Sequence, residues 1–367
     1  MGCKLEAIIK SIKIVGMQAA VPPHRHSFVE DPGIFTQEEA DKLYATTGIH
    51  SRRVLPPHLC ASDMCLAAAE SLLSSLSWDP SSVDVLIYVS QDPDYALPAT
   101  ACLLQARLGL PMTAACFDVG LGCSGFIYGS WMASQLLSGS NGKRALVLCA
   151  DVSTRNLVDG DKGTLPLFGD AGVATAYEFD ETWPDSYVVL GTDGTGGQHI
   201  TVKKGARRHP HVPKPDGTTD TVSSQEYKDS RLYLNGAAVF SFTLKVVPKM
   251  VKQALALSNN SVDELDMVVM HQANAFILEH LRKKAKISED KYLIDMAEFG
   301  NTSSASVPLA ICHKLGDFFS DGPKKTMLGG FGVGWSWGAL VTDLQLQVPA
   351  KIVTIEDDFE PLQLVQA

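Results

Sequence analysis

The sequence has few of the patterns that mark secreted, metal-binding or nucleic-acid-binding proteins. Its eight cysteines form no CxxC pair, and no cysteine or histidine pair stands at zinc-ligand spacing with a second pair downstream. No apolar stretch is long enough to span a membrane, and the start of the chain has no signal-peptide pattern. The net charge of −10 argues against nonspecific binding to nucleic acid. These absences predict a cytoplasmic protein with reduced thiols, no bound metal and no nucleic-acid partner.

Apolar residues, in contrast, are plentiful. Among 367 residues, 45% are hydrophobic and 20% are charged, which suits two domains or one large duplicated domain with a substantial core. Helix-like and strand-like segments alternate along the chain, for example a helical pattern over residues 66–76 followed by a buried-strand pattern over residues 83–90. This alternation predicts an α/β architecture in which helices cover sheets.

The two halves of the chain resemble each other. The tripeptide SVD at residues 82–84 lies between a helical segment and a buried strand, and SVD recurs in the same context at residues 261–263. The shared order predicts an internal duplication. The predicted division is a first half over residues 1–185, a second half over 186–350 with a polar insertion at about 203–231, and a peripheral acidic tail over 351–367.

A cysteine surrounded by glycines marks the first candidate site. In the stretch CFDVGLGCSGF, Cys123 lies between a short apolar strand and a helical segment, and Gly122 and Gly125 remove side-chain bulk around it. At the start of a helix, the dipole and the free N–H groups favour a thiolate and can also hold an oxyanion. This stretch alone is compatible with an activated nucleophile and equally with a core cysteine beside a glycine-rich turn.

Three further segments supply candidate partners for this cysteine. His271 follows the buried strand of residues 265–270, where side chains face the cleft of an α/β protein, although a satisfied core histidine fits the same position. Asn301 stands in GNTSSASVP, a stretch that ordinary helix capping also explains. The segment GGFGVGWSWG, residues 329–338, has so many glycines that its backbone must approach another group closely.

Taken together, FDVGLGCSGF, HQAN and GNTSSASVP, in that order, resemble the signatures of the β-ketoacyl-acyl carrier protein synthase III family in the thiolase superfamily. TGIHSRR at residues 47–53 and LFGDAGVA at residues 167–174 extend the resemblance to about residues 12–346. The resemblance implies the thiolase fold, with two duplicated halves packed as αβαβα layers around a cleft, and a homodimeric assembly.

The resemblance also implies roles for the candidate residues. Cys123 takes up an acyl group from a thioester, and its N–H, with one from the turn at Val333 and Gly334, holds the oxyanion. His271 and Asn301 bind a malonyl thioester, whose decarboxylation and Claisen condensation give a 3-ketoacyl product. The implied substrates are acyl-CoA or acyl-carrier-protein thioesters, and no metal or redox cofactor takes part. Val333 replaces a glycine that is usual in the family.

Departures from the family pattern bear on the substrate. Leu97 stands where a dimer partner lends a gating aromatic residue, and Phe276 replaces an arginine used in carrier-protein docking. These changes imply a specialised member, for example in secondary metabolism, rather than the housekeeping initiator of fatty acid biosynthesis. The implied substrate-binding residues are Leu97, Lys162, Phe240 and Asn274. The basic run Arg282, Lys283, Lys284 and Lys286 is either a carrier-protein docking face or a solvated helical face.

Two alternatives remain open from the sequence. The first is an acyltransferase that moves the acyl group from Cys123 to an alcohol or an amine. The second is an inactive partner subunit that binds acyl carrier protein. Hydroxymethylglutaryl-CoA synthase chemistry needs a glutamate poised in the first half, and no motif marks one.

Overall fold

The computed structural model describes residues 5–28, 34–210 and 224–362. Within this part of the chain there are sixteen strands and nine α-helices. The strands are β1 (Leu5–Ile9), β2 (Ile12–Val21), β3 (Arg25–Ser27), β4 (Ser51–Arg53), β5 (Val85–Val89), β6 (Ala115–Val119), β7 (Arg144–Asp151), β8 (Ala171–Phe179), β9 (Ser186–Thr192), β10 (Ile200–Thr201), β11 (Tyr233–Leu234), β12 (Met267–Met270), β13 (Tyr292–Leu293), β14 (Lys324–Gly332), β15 (Ser336–Leu344) and β16 (Lys351–Thr354). The helices are α1 (Gln37–Thr47), α2 (Ala61–Leu76), α3 (Thr100–Arg107), α4 (Gly125–Ser138), α5 (Ser224–Asp229), α6 (Gly236–Ser258), α7 (Ala275–Ala285), α8 (Ser306–Lys314) and α9 (Gly316–Ser320).

Two six-stranded sheets carry the fold, and five strands of each share one topology. The first has the order β16-β2-β8-β7-β5-β6 and the second the order β1-β9-β15-β14-β12-β13. In the first sheet β7, β5 and β6 are parallel, and β8 pairs antiparallel with β7. In the second sheet β14, β12 and β13 are parallel, and β15 pairs antiparallel with β14. Five strands have the same order and directions in both sheets, which confirms the predicted duplication, whereas the sixth strands differ: β16 is parallel to β2 and β1 is antiparallel to β9.

Helices cover both faces of each sheet. Helices α4 and α8 pack between the sheets, and their apolar side chains join those of both sheets in one core. Helices α2 and α3 pack on the outer face of the first sheet, and α6 and α7 on the outer face of the second. Central strands such as β5 (VLIYV) are therefore buried on both faces, which explains their unbroken apolar sequence. The arrangement is the αβαβα layering of the thiolase fold.

The first and the last described strands lie in different sheets. β1 pairs with β9 in the second sheet, whereas β16 pairs with β2 in the first. Leu362 is buried, and its N–H donates to the Asp63 carboxylate. Hydrogen bonds of a parallel edge strand and the burial of Ile355 and Leu362 hold residues 351–362 on the first half, and the peripheral position of the acidic tail stays a prediction. Residues 363–367 lie outside the described residues.

The predicted insertion contributes short elements to the second half. Of residues 203–231, positions 211–223 lie outside the described part of the chain, and α5 forms within the remainder. β10 and β11 pair as a small two-stranded sheet beside it. Of the described helices, none has the length and apolar character needed to cross a membrane. The seven cysteines in the described residues are all free thiols.

Candidate active site

One cavity of about 840 Å³ brings together the three residues singled out from the sequence: Cys123, His271 and Asn301 all line it. Cys123 follows β6 of the first sheet, His271 follows β12 of the second, and Asn301 precedes α8. The carboxyl ends of parallel strands in both sheets thus face the same space, which is where α/β proteins place their sites. Apolar residues also line this cavity: Ile200, Val202, Leu232, Leu234 and Val239.

Two glycines allow neighbouring backbone to pack closely around Cys123. A Cβ at Gly332 would lie 2.9 Å from the Cys123 sulfur and 2.7 Å from its Cβ. A Cβ at Gly122 would overlap the Gln91 side chain and lie 3.1 Å from the Ser303 Oγ. The glycine-rich segments therefore serve to pack backbone closely around the cysteine, as their composition predicted.

The cysteine itself has a raised pKa. Burial raises the pKa of the Cys123 thiol to about 11, and the nearby Asp151 carboxylate adds to the rise. The Ser303 hydroxyl, 4.0 Å from the sulfur, and the N–H groups of Val333 and Cys123 act in the opposite direction. The start of α4 was expected to favour the thiolate. Burial outweighs that effect, because it destabilises the thiolate by more than these hydrogen bonds stabilise it.

The N–H groups of Cys123 and Val333, both predicted to bind the oxyanion, interact with the cysteine sulfur. Both stabilise negative charge at the cysteine sulfur. The next peptide unit is restrained, because the Val333 carbonyl accepts a hydrogen bond of 2.8 Å from Ser336 Oγ. Gly334, also predicted for this role, is not among the residues that line the cavity, since it forms the turn to β15 with φ of 132°.

His271 is a buried, neutral imidazole. Its Nδ1 lies 2.7 Å from Ser306 Oγ, and that hydroxyl accepts from the N–H of Gln272 at 3.3 Å. The Ser306 proton can then be donated to Nδ1, which leaves the imidazole proton on Nε2 as a donor. Burial lowers the pKa of His271 to about 3, although the Ser303 backbone carbonyl opposes the shift. At neutral pH His271 is therefore a hydrogen-bond donor rather than a cation.

Asn301 is held so that its amide nitrogen remains a donor. Its Oδ1 accepts a hydrogen bond of 2.9 Å from the N–H of Ser303. Its backbone is tied to the LFGDAG segment, because Asn301 N–H donates to the Leu167 carbonyl and Gly169 N–H donates to the Asn301 carbonyl. Gly300 permits this turn by adopting a φ of 65°.

Sequence reasoning missed an acidic pair behind the cysteine. Asp151 and Asp92 both line the cavity, and Asp151 is almost fully buried. Burial and the charge of Asp92 raise the pKa of Asp151 to about 7, and burial raises the pKa of Asp92. The available signal was the one that pointed to His271, a polar residue at the carboxyl end of a buried strand, here β7.

Of the four predicted substrate-binding residues, the structure places only Asn274 at this cavity. Asn274 lines it and also caps α7, with Oδ1 accepting from Ile277 N–H at 2.8 Å. Phe240 does not line it: it is turned to the outer side of α6, where it stacks on Phe276, and its neighbour Val239 faces the cavity instead. Lys162 pairs with Glu39 of α1 outside the cavity at 2.6 Å.

Leu97 is 76% exposed, on the loop before α3, and it does not line the cavity of its own chain. Three of the four predicted docking residues have partners within the chain. Arg282 and Lys283 both pair with Glu279, at 2.7 Å and 3.1 Å, and Lys284 Nζ donates to the Leu244 carbonyl. The fourth, Lys286, ends α7 in the left-handed conformation.

This combination of fold and site defines a class. Two duplicated α/β halves enclose a cysteine just before a helix, two backbone N–H groups at its sulfur, and a histidine and an asparagine that act as donors. These features are those of a thiolase-fold enzyme that carries an acyl group on its cysteine.

Comparison with known proteins identifies the family. Residues 117–194 match the family model described as 3-oxoacyl-[acyl-carrier-protein] synthase III, and residues 255–344 match the model of its C-terminal part. The chain is 31% identical over 341 residues to β-ketoacyl-[acyl-carrier-protein] synthase III of Clostridium acetobutylicum, covering 91% of this chain and 98% of the relative. The corresponding enzyme of Lactococcus lactis is 32% identical over 305 residues, covering 82% and 90%.

A solved structure of a related protein has the same fold. The 3-oxoacyl-(acyl-carrier protein) synthase of Burkholderia xenovorans superposes with a TM-score of 0.88 at 32% identity, covering 96% of this chain and 99% of that one. The chain belongs to the 3-oxoacyl-[acyl-carrier-protein] synthase III family, and it is an acyl-transferring condensing enzyme.

Proposed function

We propose that this enzyme joins an acyl thioester to a malonyl thioester by decarboxylative Claisen condensation and releases a 3-ketoacyl thioester. The observation that carries the proposal is the shared cavity of Cys123, His271 and Asn301, with the N–H groups of Cys123 and Val333 at the sulfur. Nucleophile, oxyanion donors and a second donor pair are the groups that the two half-reactions need.

In the first half-reaction Cys123 attacks the carbonyl carbon of the acyl thioester. The N–H groups of Cys123 and Val333 stabilise the tetrahedral oxyanion, and a donor so placed typically contributes a factor of about 10² to 10³. The carrier leaves as a thiol, and the acyl group stays on Cys123 as a new thioester. The apolar wall of the cavity, with Leu232 and Leu234, accommodates the acyl chain.

In the second half-reaction a malonyl thioester takes the place of the carrier. His271 Nε2 and Asn301 Nδ2 donate to its thioester carbonyl, and they stabilise the enolate that forms as carbon dioxide leaves. The carbanion attacks the acyl group on Cys123, forms the new C–C bond and expels the cysteine sulfur. A neutral His271 suits this role, since a donor is needed there and no proton is removed from malonate.

The substrate assignment and the assembly form part of the same proposal. The thioesters arrive on coenzyme A or acyl carrier protein, no dedicated cofactor is used, and the enzyme acts in the cytoplasm as a homodimer. The exposed Leu97 reaches the acyl pocket of the partner, where its small size admits longer or bulkier chains than an aromatic residue would. The chain is then a specialised member of its family.

Intact-protein mass spectrometry tests the proposal. Wild type, Cys123→Ala and a control variant of an exposed cysteine, Cys102→Ala, are incubated with acetyl-, hexanoyl- and decanoyl-CoA and then with malonyl-CoA or malonyl carrier protein. We expect an acyl adduct on wild type and Cys102→Ala only, discharged by the malonyl thioester as a 3-ketoacyl product. An adduct that only an alcohol or an amine discharges would indicate an acyltransferase, and no adduct from any donor would indicate an inactive subunit.

A further inference from the structure

The Cys123 thiol, with its pKa of about 11, must lose a proton as it attacks the acyl thioester, and His271 is poorly suited to accept it. The Nδ1 of His271 already faces the Ser306 hydroxyl, its Nε2 carries the imidazole proton, and its pKa lies near 3. Within the described part of the chain, the side chain hydrogen-bonded to the cysteine sulfur is that of Ser303.

Ser303 occupies this position at a conformational cost. Its φ is 52°, in the left-handed region where glycine is favoured over residues with a Cβ. Gly122 leaves the space into which the Ser303 hydroxyl projects, since a Cβ there would lie 3.1 Å from Oγ. Ser11 and Ser77 also have positive φ, so the conformation alone assigns no role, and it is the contact with the sulfur that points to a use of the Ser303 hydroxyl.

Behind Ser303 lies Asp151, at the end of β7. Its Oδ1 accepts from Gln91 N–H at 2.8 Å, and its Oδ2 accepts from Ser304 Oγ at 2.8 Å and from Ser304 N–H at 3.2 Å. The Ser303 side chain also lies close enough to Asp151 to lower the pKa of its carboxyl. The Ser303 hydroxyl therefore interacts with both the Cys123 sulfur and Asp151.

The surroundings of Asp151 raise the pKa of its carboxyl. The ionisable groups that interact with it are Asp92 after β5, Tyr88 on β5, Cys149 on β7, Cys65 on α2 and Cys123 after β6. The thiols and Tyr88 have raised pKa values and are uncharged at neutral pH, so Asp92 is the member of this group whose charge disfavours the Asp151 carboxylate, and burial acts in the same direction. The resulting pKa of about 7 is near the optimum for a general base at physiological pH.

We propose that Ser303 and Asp151 form the proton route of the nucleophile, in which Ser303 passes the Cys123 proton to Asp151 during acylation. This inference rests on the proposed function, since it concerns the first half-reaction. Ser303 acts as a catalytic residue because it contacts the reacting sulfur, and Asp151 acts through it.

The step is balanced in protons and electrons. As the sulfur of Cys123 forms its bond to the acyl carbon, its S–H bond breaks and the proton moves to Ser303 Oγ. The hydroxyl proton of Ser303 moves to Asp151 in the same step. When the tetrahedral intermediate collapses, the C–S bond to the carrier breaks and the departing sulfur keeps the electron pair. The proton returns from Asp151 through Ser303 to that sulfur, so thiol and thioester are exchanged and no co-reactant is consumed.

Single-turnover acylation between pH 5.5 and 9 tests the route on wild type, Asp151→Asn and Ser303→Gly. The donor is whichever of acetyl-, hexanoyl- and decanoyl-CoA loads wild type fastest. We expect the wild-type rate to rise through an inflection near pH 7 and then level. Both variants should lose about 10²-fold at pH 7.5, the typical contribution of a general base. Asp151→Asn should also lose the inflection. Glycine tolerates the φ of residue 303, so loss in Ser303→Gly reports the missing hydroxyl.

Alkylation by iodoacetamide separates this role from a mere charge effect. Removing the Asp151 charge lowers the pKa of Cys123, so Asp151→Asn should be alkylated at least as fast as wild type while it is acylated more slowly. The matched control is Asp170→Asn, another buried carboxyl with a raised pKa that does not line the cavity. Its acylation profile should follow wild type.

Three results would overturn the proton route. One is acylation of Asp151→Asn at the wild-type rate or faster, which would leave Asp151 as a charge only. Another is a wild-type rate in Ser303→Gly. The third is an equal loss in Asp170→Asn, which would assign the effect to general loosening. If no donor acylates wild type while iodoacetamide still alkylates Cys123, the proposed function itself fails, and the route fails with it.

Discussion

The hydroxyl of Ser124, the residue after the nucleophile, lies 2.6 Å from the hydroxyl of Ser336 at the start of β15. Ser336 in turn donates to the Val333 carbonyl at 2.8 Å, so the order of donation is Ser124 to Ser336 to Val333. This chain of hydrogen bonds joins the start of α4 in the first half to the glycine-rich turn of the second. It restrains the peptide unit that follows Val333.

Replacing Ser336 with alanine should therefore impair oxyanion binding. The Ser124 hydroxyl and the Val333 carbonyl lose their partner in a buried site, which costs about 1 to 3 kcal/mol of folding stability. Because the backbone at Val333 loses this restraint, we expect single-turnover acylation to slow by about tenfold or more. Urea denaturation measures the first effect and acyl-adduct mass the second. Unchanged acylation in Ser336→Ala would show that Val333 is positioned by other contacts.

A matched pair of glycines tests the packing around the cysteine. In Gly122→Ala the new methyl group overlaps the Gln91 side chain and presses on Ser303 Oγ, so we expect acylation of Cys123 to be abolished or reduced at least tenfold. Gly120→Ala, two residues earlier in the same motif, has nothing within 4 Å of the added Cβ and should behave as wild type. The measurement is acyl-adduct formation over time. Equal behaviour of the two variants would contradict the steric argument.

His271→Ala should affect the two half-reactions unequally. Loss of one oxyanion donor costs about 10² to 10³ in rate, and we expect that loss in malonyl decarboxylation, with acylation of Cys123 close to wild type. Because the pKa of His271 is lowered to about 3, decarboxylation by wild type should show no inflection near 6.5. Release of carbon dioxide against pH measures both. A comparable loss in acylation would make His271 the base for Cys123.

Buried carboxyls should make folding stability depend on pH. Burial raises the pKa of Asp170 to about 6, so between its unfolded value of 3.8 and that value the folded state binds more protons than the unfolded state. Stability from this group is thus present at low pH and is lost as pH rises through about 6. Relative to Asp170→Asn, wild type should lose on the order of 2 kcal/mol between pH 4.5 and 7.5 in urea denaturation. A constant difference between the two proteins would refute the assignment.

The carrier-protein surface is best tested at Lys286, because the other three basic residues have partners within the chain. Lys286→Glu should slow loading from acyl carrier protein by several-fold without changing loading from acyl-CoA, since it alters the encounter with an acidic partner. Lys351→Glu, an exposed lysine on β16 of the other half, is the control. Competition between the two donors, read by adduct mass, gives the ratio. An equal effect of both variants would indicate a general charge effect.

Much of the fold and the central residues of the site were predictable from the sequence. The α/β architecture and the internal duplication follow from buried strands such as β5 and from the recurring SVD segments, and the resemblance supplied the αβαβα layering and placed Cys123, His271 and Asn301 in one cleft. These residues stand at the ends of strands or at a glycine turn, where local sequence patterns are informative.

What the sequence could not predict depends on tertiary contacts. The raised pKa of Cys123 results from burial and from Asp151, which is distant in the sequence. Phe240 and Val239 are neighbours on one helix, and only packing decides which of them faces the cavity. The insertion has no apolar period, yet its neighbours Ile200, Leu232 and Leu234 line the site.

The exchange of β1 and β16 between the sheets has a consequence for dividing the protein. A cut between β8 and β9 would give two fragments, each without the edge strand that stays with the other. The first fragment would keep β1 without its partner β9, and the second would keep β16 without its partner β2. The halves share one repeated topology, yet each contributes an edge strand to the sheet of the other. Co-expressed fragments are therefore expected to reassemble, whereas either fragment alone exposes an open sheet edge.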